Sequence, residues 1–242
     1  MFTTPAEAAS LIKSLKVKVV NIKRTDIAVC PPFTNLAIVA DLIKGSNLQL
    51  GAQNLFWEEL GAFTGEISAA MLAGVGCRFV IIGHSERRQF FGETDETVNR
   101  RLRRALAAGL LPIVCVGETL AQRQAGETGS IVETQIRGAF REVAADDFSR
   151  VTIAYEPVWA IGTGVNATPE QAQEVHALIR GVLASIYGEQ LAQACRIQYG
   201  GSVKPANTQA LMGQSEIDGA LVGGASLEAE SFAAIVKAAE EA

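Results

Sequence analysis

Two hydrophobic patterns alternate along the chain. Short runs made mostly of apolar or small residues fall at Ile27–Cys30, Leu48–Gly51, Phe79–Ile82, Pro112–Cys115, Val151–Tyr155, Ile197–Tyr199 and Gly219–Val222. A strand with one wet face alternates apolar and polar positions, and these runs do not, so they read as parallel strands buried on both faces. Between them apolar residues recur at helical spacing. Val175, Ile179, Val182, Leu183 and Ile186 form one stripe, and Val132, Ile136, Ala139, Phe140 and Val143 another. Helix starts are marked at Thr4-Pro5-Ala6-Glu7 and Thr168-Pro169-Glu170-Gln171, each with a capping hydroxyl, a proline at the first helical position and Glu or Gln three residues after the cap. No linker, low-complexity segment or charge block interrupts the alternation. The expectation is one α/β domain over residues 1–242, with seven strands, eight helical regions and a helix first. Its parallel sheet is either doubly wound or closed into a barrel.

Composition narrows the class. A length of 242 residues suits one β/α barrel, and 48% hydrophobic residues suffice for its core. No apolar run reaches the ~18–20 residues of a membrane helix. The first residues, Met1-Phe2-Thr3-Thr4-Pro5, lack the basic and apolar regions of a signal peptide. Four scattered cysteines, Cys30, Cys77, Cys115 and Cys195, read as small buried hydrophobes in a reducing cytoplasm. The net charge of −5 argues against nucleic acid as a partner. No zinc spacing occurs, only two histidines are present, and no G-x-G-x-x-G follows a first strand, so neither a metal nor a dinucleotide cofactor is expected. A small anion remains compatible, because backbone N–H groups bind one locally.

In parallel barrels, chemistry collects at the C-terminal ends of the strands. Gly83-His84-Ser85-Glu86-Arg87-Arg88 follows the third run, and Glu156-Pro157-Val158-Trp159-Ala160-Ile161-Gly162-Thr163-Gly164 the fifth. Gly200-Gly201-Ser202 follows the sixth, and Gly223-Gly224-Ala225-Ser226 the seventh. Taken singly, Glu156 reads as a strand-end carboxylate, His84 as a buried histidine satisfied by backbone, Trp159 as core, and Gly223 and Gly224 as turn formers. Together they place a carboxylate base, a histidine and glycine-rich anion loops on one rim. Cys115 and Glu118 are read as core and supporting residues rather than as a reactive pair.

The strings IIGHSERR, AYEPVWAIGTG, YGGSV and LVGG, with CPPFT, GAQN and VCVGE, resemble the motif set of the triosephosphate isomerase family, in order and at matching intervals from Met1 to the C-terminus. The resemblance implies a TIM-type (β/α)8 barrel that interconverts dihydroxyacetone phosphate and glyceraldehyde 3-phosphate. Glu156 matches the family's base and His84 its electrophile. Gly162, Ser202, Gly223 and Gly224 match its phosphate contacts, with Ser85 and Glu86 in support. The family is itself a standard instance of a neutral histidine tuned by a helix start, here at Ser85-Glu86-Arg87. Its hinged lid is likewise a familiar case of water-excluding closure, matched by Pro157–Gly164. Where that lid usually carries a basic residue, this chain has Val165-Asn166.

The family's first strand ends in Asn-x-Lys just before a Met, which Met1 matches. The resemblance thus implies a barrel without that strand, with a distorted seam between the strands at 27–30 and 219–222. It also implies slower turnover, since the lysine's charge has no counterpart; Lys13, Lys16 and Lys18 lie on or after the first helix. A catalytically silent phosphate-binding or scaffold protein is the competing reading. The long apolar loop 53–68, with Phe56, Trp57, Leu60 and Phe63, implies by resemblance a homodimer in which its tip, Ala62-Phe63-Thr64-Gly65, enters a partner's cleft.

Overall fold

The computed structural model describes residues 1–161 and 166–242. In chain order its elements are α1 (Pro5–Val19), β1 (Ile27–Val29), α2 (Leu36–Ile43), β2 (Leu48–Ala52), α3 (Ala69–Val75), β3 (Phe79–Ile82), α4 (Ser85–Phe91), α5 (Asp95–Ala107) and β4 (Leu111–Val116). They continue with α6 (Leu120–Gln124), α7 (Thr128–Ala139), α8 (Ala145–Phe148), β5 (Thr152–Tyr155), α9 (Pro169–Tyr187), α10 (Glu189–Ala194), β6 (Ile197–Tyr199), α11 (Pro205–Met212), β7 (Gly219–Ala220) and α12 (Ala229–Glu241). The strands form one sheet in the sequential order β1 to β7, every neighbouring pair parallel. A doubly wound sheet reverses its strand order at a switch point. An order that never reverses is the topology of a barrel wall, which decides between the two architectures the sequence allows.

The seven strands stand where the hydrophobic runs place them. The ladder's two ends are β1 and β7, and among the described residues no ladder joins them. The last strand is shorter than the apolar run implies, stopping at Ala220 rather than Val222. The helix count differs more. Twelve α-helices, not eight, occur among the described residues, because the connections after β3, β4 and β5 are each broken into two or three helices. Two of the breaks fall at Gly92 (φ 65°) and Gly188 (φ 84°), a backbone region that cannot continue a right-handed helix. The capping boxes at Thr4 and Thr168 form as the sequence predicts.

Strand alternation divides the core in two. Val80, Ile82, Val114, Val116, Ile153 and Tyr155 pack outward against the helices. Ile81, Ile113, Cys115 and Ala154 form a separate inner cluster. Both faces are dry, which is why the strands read as unbroken apolar runs. With Ala154 inward and Tyr155 outward, the next residue, Glu156, turns inward at the rim. No helix among the described residues is long and apolar enough to cross a membrane.

Candidate active site

Glu156 is the first residue beyond β5 and is only 2% exposed. Its backbone is fixed first. Its N–H donates to Val116 O at 2.8 Å, and a Cβ at Gly117 would lie 1.8 Å from Glu156 O, so only glycine lets the β4 loop pass this close. Gln135 on α7 holds Gly117 from both sides, accepting its N–H at 2.7 Å and donating to its carbonyl at 3.0 Å. The Glu156 carboxylate then accepts from the Ser85 N–H at 2.9 Å, from the Ser85 hydroxyl at 3.2 Å and from the Cys115 thiol. His84 Nε2 lies 3.0 Å from its Oε1. Burial pushes the Glu156 pKa above the ordinary carboxylate value, opposed by His84 and by the hydrogen bonds from Ser85 and Cys115. The result is a desolvated carboxylate surrounded by donors, a stronger base than one in water.

His84 caps α4, and its Nδ1 accepts the Glu86 N–H at 3.3 Å. A nitrogen that accepts an N–H carries no proton, so the imidazole proton sits on Nε2, facing Glu156. Burial of the Cys115 thiol, next to the Glu156 charge, raises its pKa well above the ordinary value and keeps it a donor. Sequence reasoning places Cys115 in the core, and it is core, yet it also touches the carboxylate. Arg88, which sequence reasoning leaves without a role, braces the end of β3 by donating to Gly83 O at 3.0 Å while paired with Asp95 at 2.6 Å. Glu86 contributes through its backbone; its side chain is exposed, with its carboxylate 3.8 Å from His84 Nδ1.

The segment after Glu156 is anchored by Glu118, a fully buried carboxylate. It accepts from the Tyr155 hydroxyl at 3.1 Å and from Trp159 Nε1 at 2.9 Å, and it pairs with Arg123 at 3.3 Å. Arg123 also stacks over the Trp159 ring at 4.7 Å. The residues just after Glu156 thus rest against the β4 loop through one carboxylate. Ser202 follows β6 and is half-buried, its carbonyl accepting from Asn207 at 2.9 Å. Gly223 and Gly224 follow β7, are exposed and have open space where a Cβ would stand. Gly162 lies outside the described residues, as do Thr163 and Gly164 of the lid expected over Pro157–Gly164. Of the residues predicted from sequence, Glu156, His84 and Ser85 are in mutual contact, while Ser202, Gly223 and Gly224 share their rim through β6 and β7.

The family model for triosephosphate isomerase matches residues 1–239. The chain belongs to the triosephosphate isomerase family. Among curated members, triosephosphate isomerase of Chloroflexus aurantiacus is 58% identical over 98% of this chain and 94% of its own length. The proteins of the same name from Endomicrobium trichonymphae and Caldanaerobacter subterraneus subsp. tengcongensis are 57% and 56% identical, each over 98% of this chain and over 94% and 95% of their own lengths.

In this family member one further histidine lies beneath the rim. His176 on α9 is fully buried, its Nδ1 3.0 Å from Glu216 O. Burial pushes its pKa down to about 4, against the Glu216 carbonyl and Asp218. The unfolded group titrates near ~6.5. Because the folded pKa is the lower one, the stability it confers is fully present above that unfolded value and is lost as pH falls through about 4. The loss is about 3 kcal/mol. The unfolding free energies of the native chain and His176→Phe should therefore converge by that amount between neutral pH and pH ~4 in urea titrations. A difference that does not change with pH would contradict the buried neutral histidine.

Proposed function

We propose that this protein is a triose-phosphate isomerase that interconverts dihydroxyacetone phosphate and glyceraldehyde 3-phosphate through an enediol, without a cofactor. The supporting observation is the buried Glu156 carboxylate with the proton-bearing His84 Nε2 3.0 Å away. Glu156 takes a proton from the carbon bearing the hydroxyl group and returns it to the neighbouring carbon. His84 donates from Nε2 to the carbonyl oxygen and carries protons between the two oxygens. A single base serves both carbons because they are adjacent. To reach them the carboxylate exchanges its bonds to Ser85 for substrate, so Ser85 acts as its resting cradle. Gly162, Ser202, Gly223 and Gly224 hold the phosphate, and the lid from Pro157 excludes water that would protonate or hydrolyse the intermediate. A steady-state assay of this chain with glyceraldehyde 3-phosphate tests the reading. Phosphate binding without turnover would favour a silent phosphate-binding protein instead.

The working form is a homodimer in the cytoplasm, where its phosphorylated substrates are. Loop 53–68 is built to project. The Phe56 N–H donates to Ile67 O at 2.8 Å and its ring meets those of Trp57 and Phe63 at a tilt, centroids 4.1 and 4.8 Å apart, while Arg100 and Arg101 lie over the Trp57 ring. This base leaves Leu60 86% exposed and Phe63 43% exposed on the same loop. Exposed apolar side chains at a loop tip are the kind of surface that an interface covers. Light scattering at micromolar concentration is expected to give twice the chain mass; a monomer at that concentration would count against the dimer.

A further inference from the structure

The β4 loop meets the segment that carries Glu156 in an interrupted ladder. Val116 O accepts the Glu156 N–H at 2.8 Å, and Glu118 O accepts the Val158 N–H at 3.1 Å. Gly117, between them, turns its own N–H and carbonyl the other way, as alternate residues of an extended segment do. On that side β3 is the neighbour of β4, but its pairing ends at Ile82 opposite Val114. Gly83, at φ 72°, then turns the chain into α4. Among the described residues no strand is left to pair with Gly117, and Gln135 supplies what is missing. Its side-chain oxygen accepts the Gly117 N–H at 2.7 Å, and its nitrogen donates to the Gly117 carbonyl at 3.0 Å. A primary amide carries the same acceptor and donor as a peptide group, so one side chain replaces one strand residue. The helix it reaches from, α7, is itself fixed: Val132, Ile136 and Ala139 are buried, and a Cβ at Gly138 would stand 2.7 Å from that of Asp95 on α5.

We propose that Gln135 is a positioning residue for the base: by standing in for a strand it fixes Gly117, and Gly117 fixes the backbone from which Glu156 enters the site. The coupling is steric. A Cβ at Gly117 would come within 1.8 Å of Glu156 O, so the two backbones touch and Gly117 cannot turn its peptide groups without displacing Glu156. Freed from Gln135, those groups would turn toward water, because a buried peptide group left unpaired is costly. The Glu156 side chain has little room to compensate. A Cβ at Gly200 would stand 2.9 Å from its Cγ. Among the described residues, the titratable groups facing its carboxylate are His84 at the start of α4 and Cys115 on β4. A displaced backbone therefore opens the carboxylate to water and removes the burial that raises its pKa. The inference rests on the isomerase reading, in which Glu156 is the base.

Carboxyl 13C titration of the full chain, with the Glu156 signal assigned by its loss in Glu156→Gln, reads the group directly. Gln135→Met keeps the length of the side chain and removes both bonds. It should move the Glu156 pKa down toward the ordinary carboxylate value; an unmoved pKa in the folded variant would overturn the proposal. Kinetics should follow the titration. Gln135→Met should lower kcat roughly tenfold, the size of one net hydrogen bond carried into the transition state, with KM little changed. The acid limb of kcat/KM should shift to lower pH by the same amount as the 13C titration. Gln135→Glu keeps an acceptor for the Gly117 N–H but leaves the carbonyl unpaired, so its kcat should lie between those of Gln135→Met and the native chain. It carries the test if Gln135→Met does not fold, and a native kcat in Gln135→Glu would then overturn the proposal. Lower thermal stability with a native kcat and a native acid limb would show that Gln135 is merely structural and would overturn it too. If the native chain turns over no triose phosphate, the isomerase reading fails, whereas the 13C titration still decides whether Gln135 sets the surroundings of Glu156.

Discussion

Glu156→Gln should lower kcat by about two to four orders of magnitude, the span general-base catalysis supplies, while phosphate-ligand affinity changes little. The amide keeps the shape and an oxygen for the Ser85 N–H but cannot take a proton from carbon. The variant should also fold at least as well as the native chain. Burial is the largest influence on Glu156 and works against its charge, so replacing it by a neutral amide removes a cost rather than a support. In the native enzyme the same burial sets the pH profile. The base must be ionised to act, so kcat/KM falls as pH drops through its raised pKa, and the acid limb lies above the usual carboxylate range. Turnover by Glu156→Gln equal to native would remove Glu156 from the mechanism. A loss of activity matched by a loss of fold would show only that the carboxylate is structural; thermal unfolding beside the assay separates the two.

The parts of this site that were legible in the sequence share one property: they are local. Glu156 follows a buried strand directly, so alternation along β5 alone turns it inward. The string at 83–88 places His84 at a helix start from adjacent residues. What the sequence did not expose depends on packing between distant segments. Gln135 clamping Gly117, the Cys115 thiol on the Glu156 carboxylate, and Arg88 bracing Gly83 join residues from different βα units, and no spacing rule announces them. Gly117 could have been found by its close approach only once β4 and β5 were paired. The helix count failed for a local reason that was available. Gly92 and Gly188 interrupt helical stretches at positive φ, and a glycine within a long apolar stripe is the signal of such a break. For Cys115 the core assignment was right and incomplete, since one thiol can fill the inner cluster and still donate at its upper edge.

Replacing His84 by alanine should cost roughly 10²–10³ in kcat, the typical loss for one preorganised donor to a developing oxyanion. The effect belongs in kcat, because a donor aimed at charge that appears only in the transition state contributes little to ground-state binding. Geometry makes the prediction sharper. The ring is oriented by a single backbone bond, Glu86 N–H to Nδ1, which leaves Nε2 as the only nitrogen with a proton to give. His84→Gln restores a side-chain N–H near that position without the aromatic ring, so it should recover part of the donor function. It should recover less of the proton shuttling, which needs one group that both gives and accepts. Exchange of the substrate's carbon-bound proton with solvent distinguishes these roles: a variant that still abstracts the proton through Glu156 but moves oxygen protons slowly should show more exchange per turnover than the native enzyme. If alanine at this position leaves kcat within a few-fold of native, the 3.0 Å contact between His84 and Glu156 is a resting-state bond with no part in the chemistry, and polarisation of the carbonyl must come from another group on the rim.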